Sequence, residues 1–233
     1  MKELVFFLEE ASAAAMLEGL LPRLIPAEVV PRYITFEGKQ DLESQLVRRL
    51  RGYRNPNARF VVMRDQDAQP NCKVIKRKLE RLGSQTGRSG VLIRIACREL
   101  EAFYLADLQA VEQGLGLSGI AAQQNTRKFR DPERLNSAKE ELRTLTKHRY
   151  QPVERSRAIG PCLDPENGRS RSFRNLVLGI RRVVEAEEDW AISPRVGELH
   201  RPPGSGVAWG ARTHAPPAAR AAREPPSRMR TGR

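Results

Sequence analysis

"FVVMRDQDAQ", residues 60–69, is the stretch on which the reading turns. Phe60 to Met63 reads as the end of a buried strand, "ARFVVM" at 58–63. The chain then leaves through Arg64 into two aspartates, Asp65 and Asp67, one residue apart. Short acids at a strand end either cap a turn or hold something positive. The flanks show what kind of strand this is. Upstream, "KQDLESQLVRRLRGY" repeats Leu42, Leu46 and Leu50 at helical spacing, with Val47 beside them. Downstream, "NCKVIKRKLERLG" reads as a helix with Asn71 as its cap and Gly83 as its stop, followed by a strand in "GVLIRIACRE", 90–99. Further upstream, "ELVFFLEE" carries the apolar run Leu4–Leu8. "SAAAMLEGLLPRL" reads as a helix capped by Ser12 and ended by Pro22 and Pro26, and "RYITF", 32–36, as another strand.

Strands thus alternate with helices, and "LEAFYLADLQAVEQGLG" continues as one further helix. This pattern predicts an α/β fold, a mostly parallel open sheet of about four strands with flanking helices, over residues 1–115. From 116 to 193 the strand signal stops and a small helical region packed on the sheet is expected. Ser137 and Glu140 stand at capping-box spacing there. In "SFRNLVLGIRRVVE", Phe173, Leu176, Val177, Ile180, Val183 and Val184 share one helical face.

The chain has 233 residues and a formal net charge of +13. Residues 194–233 hold seven of the 16 prolines, and eight arginines against Glu198 and Glu224. Six of the positive charges therefore fall in this basic Pro/Arg-rich tail and seven in residues 1–193. A basic body with a basic tail points to nucleic acid, DNA or RNA, as partner. Cys72, Cys97 and Cys162 are far apart, and no Cys/His ligand spacing occurs, which argues against zinc and against a disulfide framework. No long apolar run follows a basic start, so neither a signal peptide nor a membrane span is expected and the reading is cytoplasmic.

In open α/β sheets, functional side chains collect beyond the carboxyl ends of strands. Three acidic pairs occupy such positions: Glu9 and Glu10, Asp65 and Asp67, Glu99 and Glu101. Packed carboxylates repel unless a cation joins them. An oxygen-rich set of this kind suits Mg²⁺ or Mn²⁺, which binds a phosphate oxygen or activates a water. Lys39, Arg64, Arg98, Arg127, Lys128 and Arg130 are the cations placed to meet a phosphate backbone. Each of these residues also has an ordinary reading, the acids as caps and the cations as solvated surface.

The acid in "FLEEAS" and the Asp-x-Asp in "MRDQDA", within a short α/β unit, resemble the Toprim domain of topoisomerases, bacterial primases and OLD-type nucleases. "IACRELEAFYLAD", "DPERLNSAKEEL" and "SRSFRNLVLGI" look more narrowly like a Toprim-like domain-of-unknown-function family found near ATPase genes in bacterial defence neighbourhoods. The resemblance covers residues 1 to about 187. It implies a nuclease, possible cooperation with an ATPase partner, and roles for individual residues. Glu9 matches the leading acid, a metal ligand or general base. Asp65 and Asp67 match the metal-binding pair, so that Glu9, Asp65 and Asp67 are the catalytic candidates. Glu101, with Glu99 behind it, matches the later acid. Glu10 and Ala13 depart from the family, which carries glycine and a further acid there.

Three readings follow. The first is a Mg- or Mn-dependent nuclease of Toprim/OLD type. The second is a non-catalytic Toprim-like module that binds nucleic acid or regulates a partner. The third, a receiver-like phosphoacceptor at Asp65, leaves Asp67 and Glu101 unexplained. The tail has no periodic apolar residues with which to offset ordering entropy and is expected to be disordered. Deleting residues 194–233 is expected to leave the melting temperature unchanged in a thermal melt; a large drop would show a docked segment.

Overall fold

The computed structural model describes residues 1–88 and 90–186. Expectations for the tail, 194–233, lie outside these residues. Strands β1 (Lys2–Leu8), β2 (Val29–Thr35), β3 (Ala58–Asp65) and β4 (Leu92–Ala96) form one sheet in the order β2-β1-β3-β4. Every pairing is parallel. The crossovers are helices α1 (Ala11–Leu20), α2 (Lys39–Gly52) and α3 (Cys72–Ser84). The second strand lies on one side of β1 and the third on the other, so the sheet reverses direction between β1 and β3. In such a sheet that reversal opens a crevice at the carboxyl ends of the two strands.

The sheet is buried on both faces, as parallel sheets are. Residues of β1 alternate between two cores. Leu4, Phe6 and Leu8 pack with Met16, Leu17 and Leu20 of α1 and with the helices that follow β4. Val5 and Phe7 pack with Leu42, Leu46 and Leu50 of α2 and with Ile75 and Leu79 of α3. After β4 come α4 (Glu101–Leu105), α5 (Leu108–Leu115), α6 (Ala138–Leu145), α7 (Pro152–Ile159) and α8 (Arg171–Glu185). The first core includes Val111, Leu142, Ile159, Phe173, Leu176, Val177 and Ile180 from these helices. Residues after 116 therefore share a hydrophobic core with the sheet.

Several local expectations are corrected. Ser12 lies inside α1, whose N-cap position is Glu10, and its hydroxyl donates to the Glu10 carboxylate at 3.1 Å. Gly83 does not stop α3, which runs one residue further; the left-handed glycine of that exit is Gly87, at φ 72°. The helix expected to continue past Leu105 breaks at Asp107, whose carboxylate accepts the Ala110 N–H at 3.1 Å and starts α5. It also accepts the Asp164 N–H at 2.9 Å, so a distant loop fixes the break. Asn71 and Ser137 cap α3 and α6 as expected. Helix α7, which carries no clear apolar periodicity, emerges only in the structure.

α7 is seated on α1 through glycine. A Cβ built on Gly160 would lie 2.4 Å from the Met16 carbonyl oxygen, and one on Gly19 2.4 Å from the Pro161 ring. Arg23 then ties the junction, donating to the Leu163 and Gly160 carbonyls at 2.7 and 3.0 Å. Gly160→Ala is expected to destabilise the fold by about 1–3 kcal/mol, the usual effect of overpacking. Gly52→Ala, with nothing within 4 Å of the added methyl, is the control and should be neutral or mildly stabilising. Equal melting temperatures for the two variants would contradict the packing argument.

Candidate metal centre

β1 and β3 end out of step. Leu8 pairs with Met63, and β3 continues through Arg64 and Asp65. The Glu9 N–H donates to the Met63 carbonyl at 3.2 Å, and the Glu9 carboxylate folds over to accept the Asp65 N–H at 3.0 Å. Glu9 is thereby held in the crevice, 8 % exposed.

Alternation along β3 separates Arg64 from Asp65. Arg64 turns toward α2, its side chain 6 % exposed, and donates to Glu43 at 2.8 Å. It also lies 3.7 Å from Glu9 and 3.5 Å from Asp67. Asp65 turns to the opposite side, where its carboxylate accepts the Leu100 N–H at 3.1 Å at the start of α4. Burial, with the charges of Glu101 and Glu9 behind it, holds the Asp65 carboxyl well above the usual aspartate range. Burial also raises Glu9, against the opposing pull of the Asp65 N–H and of Arg64. Glu101, 4 % exposed, is raised by burial and accepts the Tyr150 hydroxyl at 2.9 Å.

The six acids of the three pairs therefore do not form one cluster. Glu9 and Asp65 line one void and make an inner group, and the charge of Glu101 reaches Asp65 from behind. Asp67 stands outside it on the α2 side, accepting Lys39 Nζ at 2.9 Å. Its φ is 55°, and its N–H donates at 2.7 Å to the carbonyl of Arg98, itself at φ 67°. Two left-handed non-glycine residues thus lock the loops after β3 and β4 to each other, a sparsely populated backbone state held by its surroundings. Glu99 belongs to another structure: its carboxylate accepts the Lys139 N–H at 2.8 Å and the Ser137 hydroxyl at 3.4 Å, capping α6. Glu10 is exposed and bonded to Ser12.

A void of about 10 Å³ lies among Glu9, Glu10, Ser12, Ala13, Arg64, Asp65 and Leu100. That is close to the smallest space that takes one water. Among the described residues, no three His, Cys, Asp or Glu side chains are drawn together as a ready-made ligand set. The donors present are all carboxylate oxygens, which suit a hard divalent ion. Such an ion commonly binds through one or two carboxylates, several waters and a substrate phosphate, not a protein cage. The inner group fits an ion held in that shared way.

Of the expected nucleic-acid contacts, Arg64 lines the void and Lys39 pairs with Asp67 beside it, while Arg98 meets the loop after β3 through its backbone, at the Asp67 N–H and the Gln66 side chain. Arg127, Lys128 and Arg130 lie elsewhere, in a cleft of about 1000 Å³ that Arg134, Arg169 and Arg171 also line. The last three escaped sequence reasoning. Arg169 and Arg171 sit in a Ser/Arg run across the start of α8 that gives no sign of meeting residue 127. Glu43 and Tyr150, which position Arg64 and Glu101, carry no local signal either.

A carboxyl whose folded pKa is raised binds more protons in the folded than in the unfolded chain. Stability from Asp65 is therefore lost as pH rises from the ordinary aspartate value, about 3.9, through the raised one. Asp65→Asn removes the charge while keeping an acceptor for Leu100. In EDTA at pH 7 the variant is expected to melt at least about 2 °C above the parent, the shift that roughly 1 kcal/mol produces in a domain this size. The difference should close below about pH 4. A variant less stable at pH 7 would contradict the electrostatic reading.

The family model described as "Domain of unknown function (DUF4276)" matches residues 8–181, which include every carboxylate of the crevice and the whole basic cleft. The chain belongs to this family. No curated protein and no solved structure matches it.

Proposed function

We propose that this family member is a Mg²⁺- or Mn²⁺-dependent nuclease of Toprim/OLD type that hydrolyses or nicks the phosphodiester backbone of nucleic acid. The observation that carries the reading is the isolation of Asp65. It lines one void with Glu9, feels the charges of Glu101 and Glu9, and makes no ion pair among the described residues. The nearest cations are already engaged, Arg64 with Glu43, Glu9 and Asp67, and Lys39 with Asp67. A carboxyl at the switch point of an α/β sheet whose ionised form meets no cation of the protein is free to exchange its proton for a cation from outside.

Asp65 and Glu9 would hold the ion, with Glu101 behind Asp65. When bound, a divalent ion neutralises charge at the scissile phosphate and makes an attacking water more acidic. The protein's own groups do the rest. Glu9, with its raised pKa and its anchor on the Asp65 N–H, is placed to accept the water's proton. Lys39, half exposed at the rim, is placed to meet a non-bridging phosphate oxygen. The Arg64 guanidinium holds Glu9 and Asp67 at fixed separation. Tyr150 keeps the Glu101 carboxylate oriented. The ATPase partner implied by the Toprim-like resemblance is carried in this proposal on the resemblance alone.

Supercoiled plasmid and labelled single-stranded RNA, each incubated with Mg²⁺ or Mn²⁺, test the reading. Metal-dependent cutting is expected, reduced by roughly two orders of magnitude or more in both Asp65→Asn and Glu9→Gln. Glu99→Gln, which touches only the α6 cap, should cut normally if it folds. Absence of cutting with either substrate and either metal would sink the enzyme and leave the second reading, a non-catalytic nucleic-acid-binding or regulatory module.

A further inference from the structure

Six cations, Arg127, Lys128, Arg130, Arg134, Arg169 and Arg171, face the cleft of about 1000 Å³ between the loop before α6 and the start of α8. All six are exposed. The acids of the lining are Asp131 and Glu133, and both are engaged. Asp131 pairs with Arg134 at 2.7 Å. Glu133 accepts the Ser172 N–H at 2.7 Å and the Ser170 hydroxyl at 2.8 Å, closing the start of α8. Lys128 pairs with Glu141 from outside the lining. Arg127, Arg130 and Arg171 make no ion pair or side-chain hydrogen bond with any described residue. Guanidinium groups gathered around one concavity repel one another and need an anion.

The cleft does not end there. Glu133 and Arg171 also line an adjoining hollow of about 490 Å³ along β4, together with Lys73, Lys76, Arg94 and Arg182. The hollow reaches Cys97, whose N–H donates to the Ser172 hydroxyl at 3.1 Å. The two hollows share Glu133 and Arg171, so basic side chains track from the loop before α6 to Cys97, just past β4; of those in the second hollow, Lys76 pairs with Glu80 and Arg94 donates to the Asn175 and Ile93 carbonyls.

We infer that this track binds the phosphate backbone of a nucleic-acid duplex. Three observations select that ligand. The track is too long, open and polar for a small molecule, whose pockets are mostly apolar. Seven of its ten cations carry guanidinium forks, which match phosphate oxygens in pairs. Single-strand sites, by contrast, rely on aromatic platforms for stacking, and among the described residues no Phe, Tyr or Trp is exposed. Residues 194–233 have the wrong sign of charge to be the ligand. The inference rests on the nuclease reading for its link to the carboxylates, but the binding itself does not.

Fluorescence anisotropy in EDTA separates the two. The full chain is titrated with a labelled 20-base-pair DNA duplex, the matching RNA duplex and each single strand, over a range of salt. A duplex is expected to bind more tightly than either strand, and the DNA and RNA arms show which duplex is preferred. Arg127→Ala/Arg130→Ala should weaken duplex binding roughly tenfold or more and lower the log–log salt slope by about 2, close to one per lost phosphate contact. Arg48→Ala/Arg49→Ala, the same charge loss on α2 across the sheet, should change affinity less than about twofold. Equal weakening by the two double variants would overturn the site, and single strands binding as tightly as duplex would overturn the ligand. Duplex binding that depends on the cleft, without any cutting, would remove the nuclease reading and leave the cleft standing.

Discussion

The hydrogen bond from the Asp65 N–H to the Glu9 carboxylate, 3.0 Å long, joins the two strands at the one place where the sheet changes direction. It exists because β1 stops at Leu8 while its partner runs two residues beyond Met63. That offset turns Arg64 to one face of the sheet and Asp65 to the other. Arg64 then has α2 within reach and draws in Glu43, Glu9 and Asp67. Asp65 is left with the charge of Glu101 on its side and the N–H of Leu100. Had β3 ended at Met63, both residues would lie in a loop and no such separation would follow. The charge asymmetry of the crevice is thus a consequence of strand length and of the two-residue period of the β backbone.

A second charge imbalance, opposite in sign, sits on the same side of the sheet as Asp65. The loop before α6 and the start of α8 bring together arginines that are not used for folding. Glu133 could have neutralised them, yet its carboxylate is turned to the serines of α8. Each imbalance costs stability in the free chain. Under the proposed function, the negative crevice and the positive track along neighbouring strand ends would serve the two halves of one ligand, a divalent ion and the phosphates that share it. The elements between them are rigid: Asp67 and Arg98 cross-link the two loops, and Ser172 ties α8 to the end of β4.

Much of this fold was legible in the sequence for a simple reason. Residues such as Leu42, Leu46 and Leu50 repeat with the helical period, and Leu4 to Leu8 form an apolar run of strand length. Parallel strands buried on both faces produce short continuous apolar runs. Features decided by distant contacts were not legible. Ser12 looks like a cap, but α1 begins one residue before it. Gly83 looks like a stop, but nothing in its packing against Val91 ends the helix. Asp107 breaks a helix whose composition favours continuity because its carboxylate also serves Asp164. At the site, the rule that acids collect at strand ends picks out Glu9, Asp65 and Glu101 only as residues beyond β1, β3 and β4. It could not tell which side of the sheet each would take, so Asp67 and Glu99 were grouped with them. Asp67 is drawn off by Lys39, and Glu99 by the start of α6. The cleft was half visible, as Arg127, Lys128 and Arg130. Its other wall comes from residues some forty positions away and has no signature of its own.

The central claim is that the protein itself supplies no cation to Asp65 when its carboxyl ionises. The most direct measurement is the titration of its side-chain carboxyl by carbon-13 NMR, in EDTA and then in Mg²⁺. The account predicts a midpoint well above that of an ordinary aspartate in EDTA, displaced downward by Mg²⁺ because ion and proton compete for the same oxygens. A midpoint in the usual range near 3.9, or one indifferent to Mg²⁺, would contradict it.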